Sequence, residues 1–275
     1  MVVSRCVQMR RQPRTSRNPA AAVLAVATLL VVGCRREPSA ARGLPAAGGG
    51  TSALAASAEP DGSRSLTRHV RRRASFPVSS IGLTIEDVHM SRAFDDVLRR
   101  TGAALVVNGG FFDPRGEPLG LAVSGGKALS AFAAGMSGGV LWLRDGVAHL
   151  TATEDYEAGA VDFAIQCRPR LVVASRPNVR SDDGRRALRT ALCVRDGGRT
   201  LEAVLAGANG DAGPTLFELA RELVDDGCEE ALNLDGGPST GWASVTDAGL
   251  IVEPPFGAVR HVVVLRQAPA SPSGP

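Results

Sequence analysis

Two segments of the chain share one pattern: an amphipathic helix, a short apolar run, and then a polar residue followed by two glycines. The first segment ends in Asn-Gly-Gly at residues 108–110 and the second in Asp-Gly-Gly at residues 235–237. Short apolar runs behind a helix are consistent with buried strands. We therefore predict two helix–strand units, each of which brings a polar side chain and a permissive backbone to a strand end. Residues 108–110 are called the first elbow and residues 235–237 the second elbow.

The ends of both helices are marked in the sequence. Thr215 and Glu218 have the spacing of a capping box, and Gly227 is a typical C-terminal stop for the second helix. For the first helix, Ser91 occupies the predicted cap position and Gly102 the stop.

The rest of the folded part is rich in strand signals. Asp145-Gly146 separates two apolar runs and predicts a hairpin. Further predicted strands cover residues 163–165, 171–173, 191–194, 201–205 and 261–265. Aromatic residues make up only 4% of the chain, so the core must consist mainly of Val, Leu, Ala and Ile. The predicted class is α+β: a mixed, largely antiparallel sheet with a few packed helices, in a single domain over residues 67–267.

The amino-terminal part is typical of an export signal. Several arginines precede residues 20–33, which carry no charge and are too few to span a bilayer as an ordinary helix. Cys34 closes this run, as in bacterial lipoprotein signals, which predicts a signal peptide over residues 1–33 and lipidation at Cys34. An ordinary cleaved signal with a chance cysteine is the alternative. Residues 34–66 are rich in Ala, Gly, Ser and Pro and predict a flexible tether, and residues 268–275 predict a disordered tail.

This organisation predicts a protein of the bacterial cell envelope, anchored to a membrane by its lipid and facing the periplasm or the outside. It also changes the meaning of the net charge of +3. Of 31 basic and 28 acidic residues, eight arginines and one acid lie in residues 1–42. The remainder therefore has 23 basic and 27 acidic residues, a net charge of −4, and gives no reason to expect a nucleic-acid partner.

Three of the five cysteines, Cys167, Cys193 and Cys228, lie in the predicted domain. They can form at most one disulfide, and their spacing does not identify which two residues pair. They lack the close spacing of a zinc site, and the four histidines are scattered singly. We therefore predict no metal and no cofactor.

The elbows are part of a wider resemblance. Asn-Gly-Gly-Phe-Phe at residues 108–112, Ala-Ile-Gln at 164–166, Arg-Thr-Ala at 189–191 and Ala-Leu-Asn-Leu-Asp-Gly-Gly-Pro-Ser-Thr at 231–240 follow one another in order. This combination resembles the phosphodiester glycosidases, and the resemblance extends over about residues 90–265. Pro238 stands where that family usually has a third glycine, which removes one amide donor.

The resemblance implies a hydrolase that cleaves a sugar from a glycosyl 1-phosphodiester, with an envelope or extracellular glycan as substrate. Asp235 is then the candidate nucleophile, base or electrostatic stabiliser, and Arg189 the candidate phosphate clamp. A phosphate leaving group is a weak base, so a strong general acid is not required. The implied substrate-binding residues are Asn108, Gly109, Gly110, Phe112, Gln166, Thr190, Gly236, Gly237, Ser239 and Thr240.

Other interpretations remain open. A non-catalytic lipoprotein that binds glycan in the same cleft would share the glycine elbows, and a metal-assisted phosphodiesterase would rest on the Asp235 loop alone. Asp113 and Asp211 are conceivable second carboxylates, although both have the surroundings of turn residues. Residues 135–139 match G-x-S-x-G, but a strand follows them where a nucleophile elbow requires a helix. Residues 120–127 have the wrong spacing for a P-loop.

Overall fold

The computed structural model describes residues 68–157, 159–207 and 212–267. The predicted signal segment, the tether with Cys34 and the tail lie outside the described residues, as does Asp211. Within the described part of the chain, no helix is long and apolar enough to cross a membrane.

The described strands form three antiparallel sheets, and within each sheet every strand is hydrogen-bonded to the next one named. Sheet I contains β1 (Val70–Pro77), β12 (Thr200–Ala206), β11 (Arg189–Arg195), β13 (Glu230–Asn233), β9 (Arg170–Val173) and β10 (Arg176–Pro177). Sheet II contains β15 (Gly249–Glu253), β14 (Trp242–Thr246), β3 (Leu105–Asn108), β16 (Val259–Gln267) and β2 (Ile81–Ser91). Sheet III contains β5 (Lys127–Ser130), β4 (Ala122–Ser124), β8 (Phe163–Cys167), β6 (Gly139–Arg144) and β7 (Val147–Ala152). The α-helices of the described residues are α1 (Phe94–Thr101) and α2 (Leu216–Asp225).

The prediction of a mixed sheet was wrong, because every strand pair in these three sheets is antiparallel. A helical connection normally joins parallel neighbours. Here α1 connects β2 to β3, but β16 lies between these strands and runs opposite to both. In the same way α2 connects β12 to β13, with β11 between them. Each helix therefore crosses over one intervening strand. The fold is mostly β, with two helices on the sheets.

The strands that precede the elbows are buried on both faces. In β3, Leu105 and Val107 contribute to the core shared by the three sheets, whereas Val106 packs on the side of α1. In β13, Leu232 faces the shared core and Ala231 the side of α2. Burial on both faces explains why these strands are continuous apolar runs rather than alternating ones. Each large apolar side chain buried in this way contributes about 1.5–3 kcal/mol.

The predicted helix ends are confirmed for α2 and partly wrong for α1. The Glu218 N–H donates to Thr215 Oγ1 (3.2 Å), and the Thr215 N–H donates to the Glu218 carboxylate (3.0 Å), which completes the capping box. Helix α1 is capped at Ala93 instead of Ser91. Ser91 ends β2, and its hydroxyl accepts a hydrogen bond from the Ala93 N–H at 3.1 Å. Gly102 ends α1 with φ +63°, as predicted.

One disulfide joins Cys193 in β11 to Cys228, two residues before β13. It closes a loop with a sequence separation of 35 residues, and a bridge of this kind contributes about 2–4 kcal/mol to stability. The bridge ties the strand that begins at Arg189 to the strand that leads into the second elbow. Cys167 is buried and unpaired, and burial raises the pKa of its thiol, which keeps it neutral.

Candidate functional site

The two elbows lie against each other, although 127 residues separate Asn108 from Asp235. The Asn108 side-chain amide donates to the Asp235 carbonyl oxygen at 2.7 Å. The Asp235 N–H in turn donates to the carbonyl oxygen of Gly109 at 3.2 Å. Sheets I and II are thereby joined at the ends of β3 and β13, where both helix–strand units terminate.

Asn108 and Thr190 lie in the interior. Asn108 is 1% exposed, and its side-chain oxygen accepts hydrogen bonds from the Thr190 hydroxyl (2.6 Å) and the Gly241 N–H (3.2 Å). Thr190 is completely buried. The side chains of these two residues are not exposed to solvent. Their hydrogen bonds connect the two elbows with β11 and with the start of β14.

Gln166 is also buried, and each of its polar side-chain atoms has protein partners. Its oxygen accepts from the N–H groups of Leu121 and Ala133, both at 3.0 Å. Its nitrogen donates to the Ala133 carbonyl at 2.9 Å and to the Thr153 hydroxyl at 3.4 Å. Gln166 in β8 therefore holds Leu121 and Ala133, which flank β4 and β5 of the same sheet.

The four elbow glycines have different structural requirements. Only Gly237 has a left-handed backbone, with φ +58°. Gly109 needs space instead, because a Cβ there would lie 2.9 Å from the Cβ and the carbonyl oxygen of His261. A Cβ on Gly236 would lie 3.0 Å from the Leu188 carbonyl oxygen, whereas one on Gly110 would meet nothing closer than 3.5 Å. Both Gly-Gly pairs were expected to need the backbone freedom of glycine. Of the four glycines, only Gly237 has a backbone conformation that requires it.

The Asp235 carboxylate is half-buried beside the second elbow. Burial raises the pKa of Asp235 above its ordinary value, and hydrogen bonds from the Ser239 side chain and the Gly236 N–H oppose this effect. The Gly236 N–H lies 2.9 Å from Asp235 Oδ1. Ser239 and Thr240 are buried, and the Thr240 hydroxyl has no hydrogen-bond partner among the described residues.

A cleft of about 680 Å³ opens next to the elbows, at the end of sheet I. Strand β11 begins at Arg189, β9 begins at Arg170, and β13 between them ends at Asn233, so that the three residues border the same end of the sheet. The cleft is lined by Phe111, Ser137, Gly138, Glu154, Arg168, Pro169, Arg170, Asn178, Arg185, Arg189, Leu216 and Asn233. Asp235 is not among these lining residues, and follows two positions after Asn233.

Arg189 connects the cleft to the second elbow. A methyl group on Gly236 would lie 3.7 Å from Nη1 of Arg189, so the guanidinium passes close to the elbow backbone. Other guanidinium N–H groups donate to the carbonyls of Arg185 (2.8 Å) and Pro214 (3.5 Å). Burial lowers the pKa of Arg189, and nearby Asp183 raises it. An arginine stays cationic in proteins and has five N–H donors, so donors remain for an anion.

The sequence prediction omitted several residues of the cleft. Phe111 lines it, whereas the predicted Phe112 forms a short bridge with Pro118. Arg168 and Arg170 were overlooked, although their position directly before a predicted strand is a detectable signal.

Asp113 follows the first elbow and was considered as a second catalytic carboxylate, but it is a turn residue. Its carboxylate accepts hydrogen bonds from the N–H groups of Arg115 (2.8 Å) and Glu117 (2.9 Å) and pairs with the Arg115 guanidinium. These bonds, that from Glu117 first, lower the pKa of Asp113. Among the described residues, no group of three or more His, Cys, Asp or Glu side chains is arranged to hold a metal ion.

Comparison with solved structures places this fold among known ones. The chain is similar to a hypothetical protein from Synechocystis, with a TM-score of 0.55 at 16% identity over 72% of this chain. It spans 61% of that protein, less than two thirds of its length. A putative exported protein from Burkholderia pseudomallei gives a TM-score of 0.51 at 13% identity, over 70% of this chain and 73% of that one.

A third similar structure is the catalytic domain of zebrafish N-acetylglucosamine-1-phosphodiester alpha-N-acetylglucosaminidase, auto-inhibited by its pro-peptide. It has a TM-score of 0.55 and 17% identity, over 71% of this chain and 83% of that one. No curated protein matches the sequence. The sequence profile of the phosphodiester glycosidases matches residues 101–265, more than half of the chain. The chain therefore belongs to the phosphodiester glycosidase family.

Proposed function

We propose that this protein is a hydrolase that cleaves the bond between the anomeric carbon of a sugar and the phosphate of a glycosyl 1-phosphodiester. Family membership supports this reaction class. The observation that carries the proposal is the cleft itself: Arg189 stands beside the Asp235 elbow, and no carboxylate of the described residues lies within 4.0 Å of its guanidinium. A half-buried cation without an ion pair suits a site that takes an anionic ligand.

The proposed reaction needs few groups from the protein. The phosphomonoester leaves with the electron pair of the bond to the anomeric carbon, and water supplies the hydroxyl that replaces it. Arg189 binds the phosphate oxygens and stabilises the charge that develops on them. Asp235 acts on the sugar side, as the nucleophile or as the base that accepts the proton of the attacking water. The products are a free sugar and a phosphomonoester.

The predicted binding residues then divide into two groups. We assign Asn108, Thr190 and Gln166 to holding the site together, because they are buried and their polar groups are bonded to protein atoms. Direct contact with the substrate is proposed for the glycines of the elbows, Phe111, Phe112, Ser239 and Thr240. Asn108 thus keeps its place in the site as a positioning residue.

Replacement of Arg189 tests the proposal. Wild-type domain should hydrolyse a hexosyl phosphodiester such as methyl α-glucosyl phosphate, and Arg189→Gln should lower kcat/KM by about 10- to 100-fold. Loss of hydrogen bonds to a charged group, worth about 1.5–3 kcal/mol, gives this range. Arg189→Lys should lie between the two, because lysine keeps the charge without the planar fork. Release of the free sugar is measured, with the exposed Arg180→Gln as the matched control.

The alternative is a non-catalytic glycan-binding lipoprotein. Binding of methyl α-glucosyl phosphate by the wild type without any release of sugar, in a panel that includes acetamido sugars, would favour that alternative. Equal turnover by the wild type and Arg189→Gln would contradict the role given to Arg189.

We also propose an envelope location, with a lipid on Cys34. The leader and its cysteine support this, and an exported protein is the usual setting for a disulfide such as Cys193–Cys228. When the full chain is expressed in a bacterial host, mass spectrometry of the mature amino terminus should find an acylated Cys34, and the protein should partition into membranes. Cys34→Ala should release it into the soluble fraction. An unmodified Cys34 in membrane-free protein would contradict the anchor.

A further inference from the structure

Two further arginines of the cleft, Arg168 and Arg170, are not used by the proposed reaction. Among the described residues, four arginines line the cleft, and the only acidic lining residue is Glu154. Neither Arg168 nor Arg170 has a carboxylate within 4.0 Å among the described residues, so both cations lack an ion pair there. The lining residues therefore carry a formal charge of +3, four arginines against one glutamate; Asp183 lies 3.8 Å from Arg185, and Glu230 interacts electrostatically with Arg170.

The arginine pair is spatially separate from Arg189. Arg170 begins β9 and Arg189 begins β11, with β13 between these strands. Neighbouring strands lie about 4.8 Å apart, and the register offsets the two strand starts by about three residues along the strands, so their Cα atoms are about 14 Å apart. One phosphodiester group carries a single negative charge, so it balances only one of the cations that line the cleft.

The backbone that carries Arg168 and Arg170 is fixed to the elbow strand. The Asn233 side-chain nitrogen donates to the Arg168 carbonyl at 2.9 Å, and the Asn233 N–H donates to the Pro169 carbonyl at 3.0 Å. The Asn178 side chain donates to the Arg170 carbonyl at 2.9 Å. Asn233 is itself only 4% exposed. Three hydrogen bonds thus hold this segment in place, and two of them come from Asn233, which precedes Asp235 by two positions. A segment fixed in this way is a built site rather than a loose surface loop.

We propose that Arg168 and Arg170 form a second anion subsite, which binds a negatively charged group on the part of the substrate that leaves with the phosphate. This rests on the proposed function and narrows its substrate class. The substrate is then a glycosyl phosphodiester whose alcohol part carries a further phosphate or carboxylate, as in polymers with repeating anionic groups. Arg189 holds the phosphate that is cleaved from the sugar, and the arginine pair holds the neighbouring anion.

Three substrates with the same sugar test the subsite: glucosyl phosphodiesters of methanol, of glycerol phosphate and of glyceric acid. In wild-type protein the substrates with an anionic alcohol part should have a kcat/KM about 10-fold or more above the methyl substrate, from charge-assisted hydrogen bonds. The double variant Arg168→Gln/Arg170→Gln should lose this preference, because its kcat/KM should fall about 10-fold or more further for the anionic substrates than for the methyl substrate. The glycerol phosphate and glyceric acid substrates show whether phosphate or carboxylate is preferred. Added salt should reduce the preference.

The matched control is Arg176→Gln/Arg180→Gln, two exposed arginines that are not among the residues lining the cleft. It should retain the preference for anionic substrates. Equal kcat/KM of wild type for all three substrates would overturn the second subsite and leave the proposed function intact. If neither these substrates nor the panel with acetamido sugars is hydrolysed, the proposed function fails, and calorimetry with the products decides the subsite alone. Glycerol bisphosphate should then bind more tightly than methyl phosphate to wild type but not to the double variant, and equal affinities in wild type would overturn the inference.

Discussion

The variant Asp235→Asn should lose about 10²- to 10⁴-fold in kcat on a glycosyl phosphodiester while it keeps its fold. Removal of a catalytic acid or base costs roughly 10²- to 10⁴-fold, and losses for a nucleophile reach the upper end. The hydrogen bond from the Gly236 N–H to Oδ1 can persist in the variant, since the asparagine oxygen also accepts. Release of sugar and thermal unfolding are measured on the same preparation.

The raised pKa of Asp235 fixes the sign of two further effects. Because burial raises this pKa, the native protein binds the proton more readily than the unfolded chain does, and the ionised carboxylate costs stability at neutral pH. Asp235→Asn removes that cost, so the variant should be at least as stable as wild type at neutral pH. If the ionised form is the active one, wild-type kcat should fall on acidification at a pH above that at which an exposed aspartate titrates.

Asp113→Asn is the matched control for Asp235→Asn. Asp113 also lies just after an elbow, but its carboxylate is bonded to its own turn. Its substitution should leave kcat unchanged. An Asp235→Asn variant with wild-type kcat, or one whose lost activity follows from unfolding, would remove Asp235 from the proposed chemistry.

Much of the fold could be predicted because the strands at its centre are apolar on both faces. The predicted strands at residues 163–165, 171–173, 191–194, 201–205 and 261–265 all lie within observed strands. The Asp145-Gly146 hairpin is confirmed, with positive φ at both residues. The strands that were missed are β1, β2, β4, β5, β10, β14 and β15, and all of them except β4 and β14 lie at sheet edges. An edge strand pairs on one side only and is often polar, so its apolar signal is weak.

The division into three antiparallel sheets could not be predicted from the helix–strand units. Each unit alone is compatible with a parallel βαβ crossover. In both units the intervening strand comes from another part of the chain. The strand between β2 and β3 is β16, near the carboxyl end of the described chain, and the strand between β12 and β13 is β11, which precedes both. Only the long-range pairing determines the direction of neighbouring strands, and a local pattern contains no information about it.

The structure shows which of the predicted site residues lie in the interior and which border the cleft. Arg189 passes close to the Gly236 backbone, next to Asp235, but the sequence could not separate exposed amides from buried ones. Asn108 and Gln166 have the polar groups of sugar ligands, and yet their hydrogen bonds are made within the protein. Arg168 and Arg170 become part of a cleft only when β9 is placed two strands from β11. Burial and strand order, which depend on tertiary packing, decide both points.

The variant Gly109→Ala should lower the stability of the folded domain by about 3 kcal/mol. Its Cβ would lie 2.9 Å from the carbonyl oxygen of His261, and a backbone atom of β16 cannot move aside as a flexible side chain does. For a domain of this size the loss corresponds to a decrease in Tm of about 6–12 °C. Because the Gly109 carbonyl accepts from the Asp235 N–H, the same displacement should also lower kcat.

Gly110→Ala is the control for Gly109→Ala. It distinguishes the effect of a steric clash with β16 from the effect of replacing any glycine of the first elbow. Its Cβ would meet the Cys167 sulfur at 3.5 Å, an ordinary contact, and its φ is not in the left-handed region. Alanine also reduces the entropy of the unfolded chain, which stabilises by about 0.4–1 kcal/mol where the backbone conformation is compatible. Tm should therefore be unchanged or slightly higher in Gly110→Ala. Equal decreases of Tm in both variants would show that the first elbow needs two glycines for their backbone freedom, and that the contact between Gly109 and β16 is not the determining one.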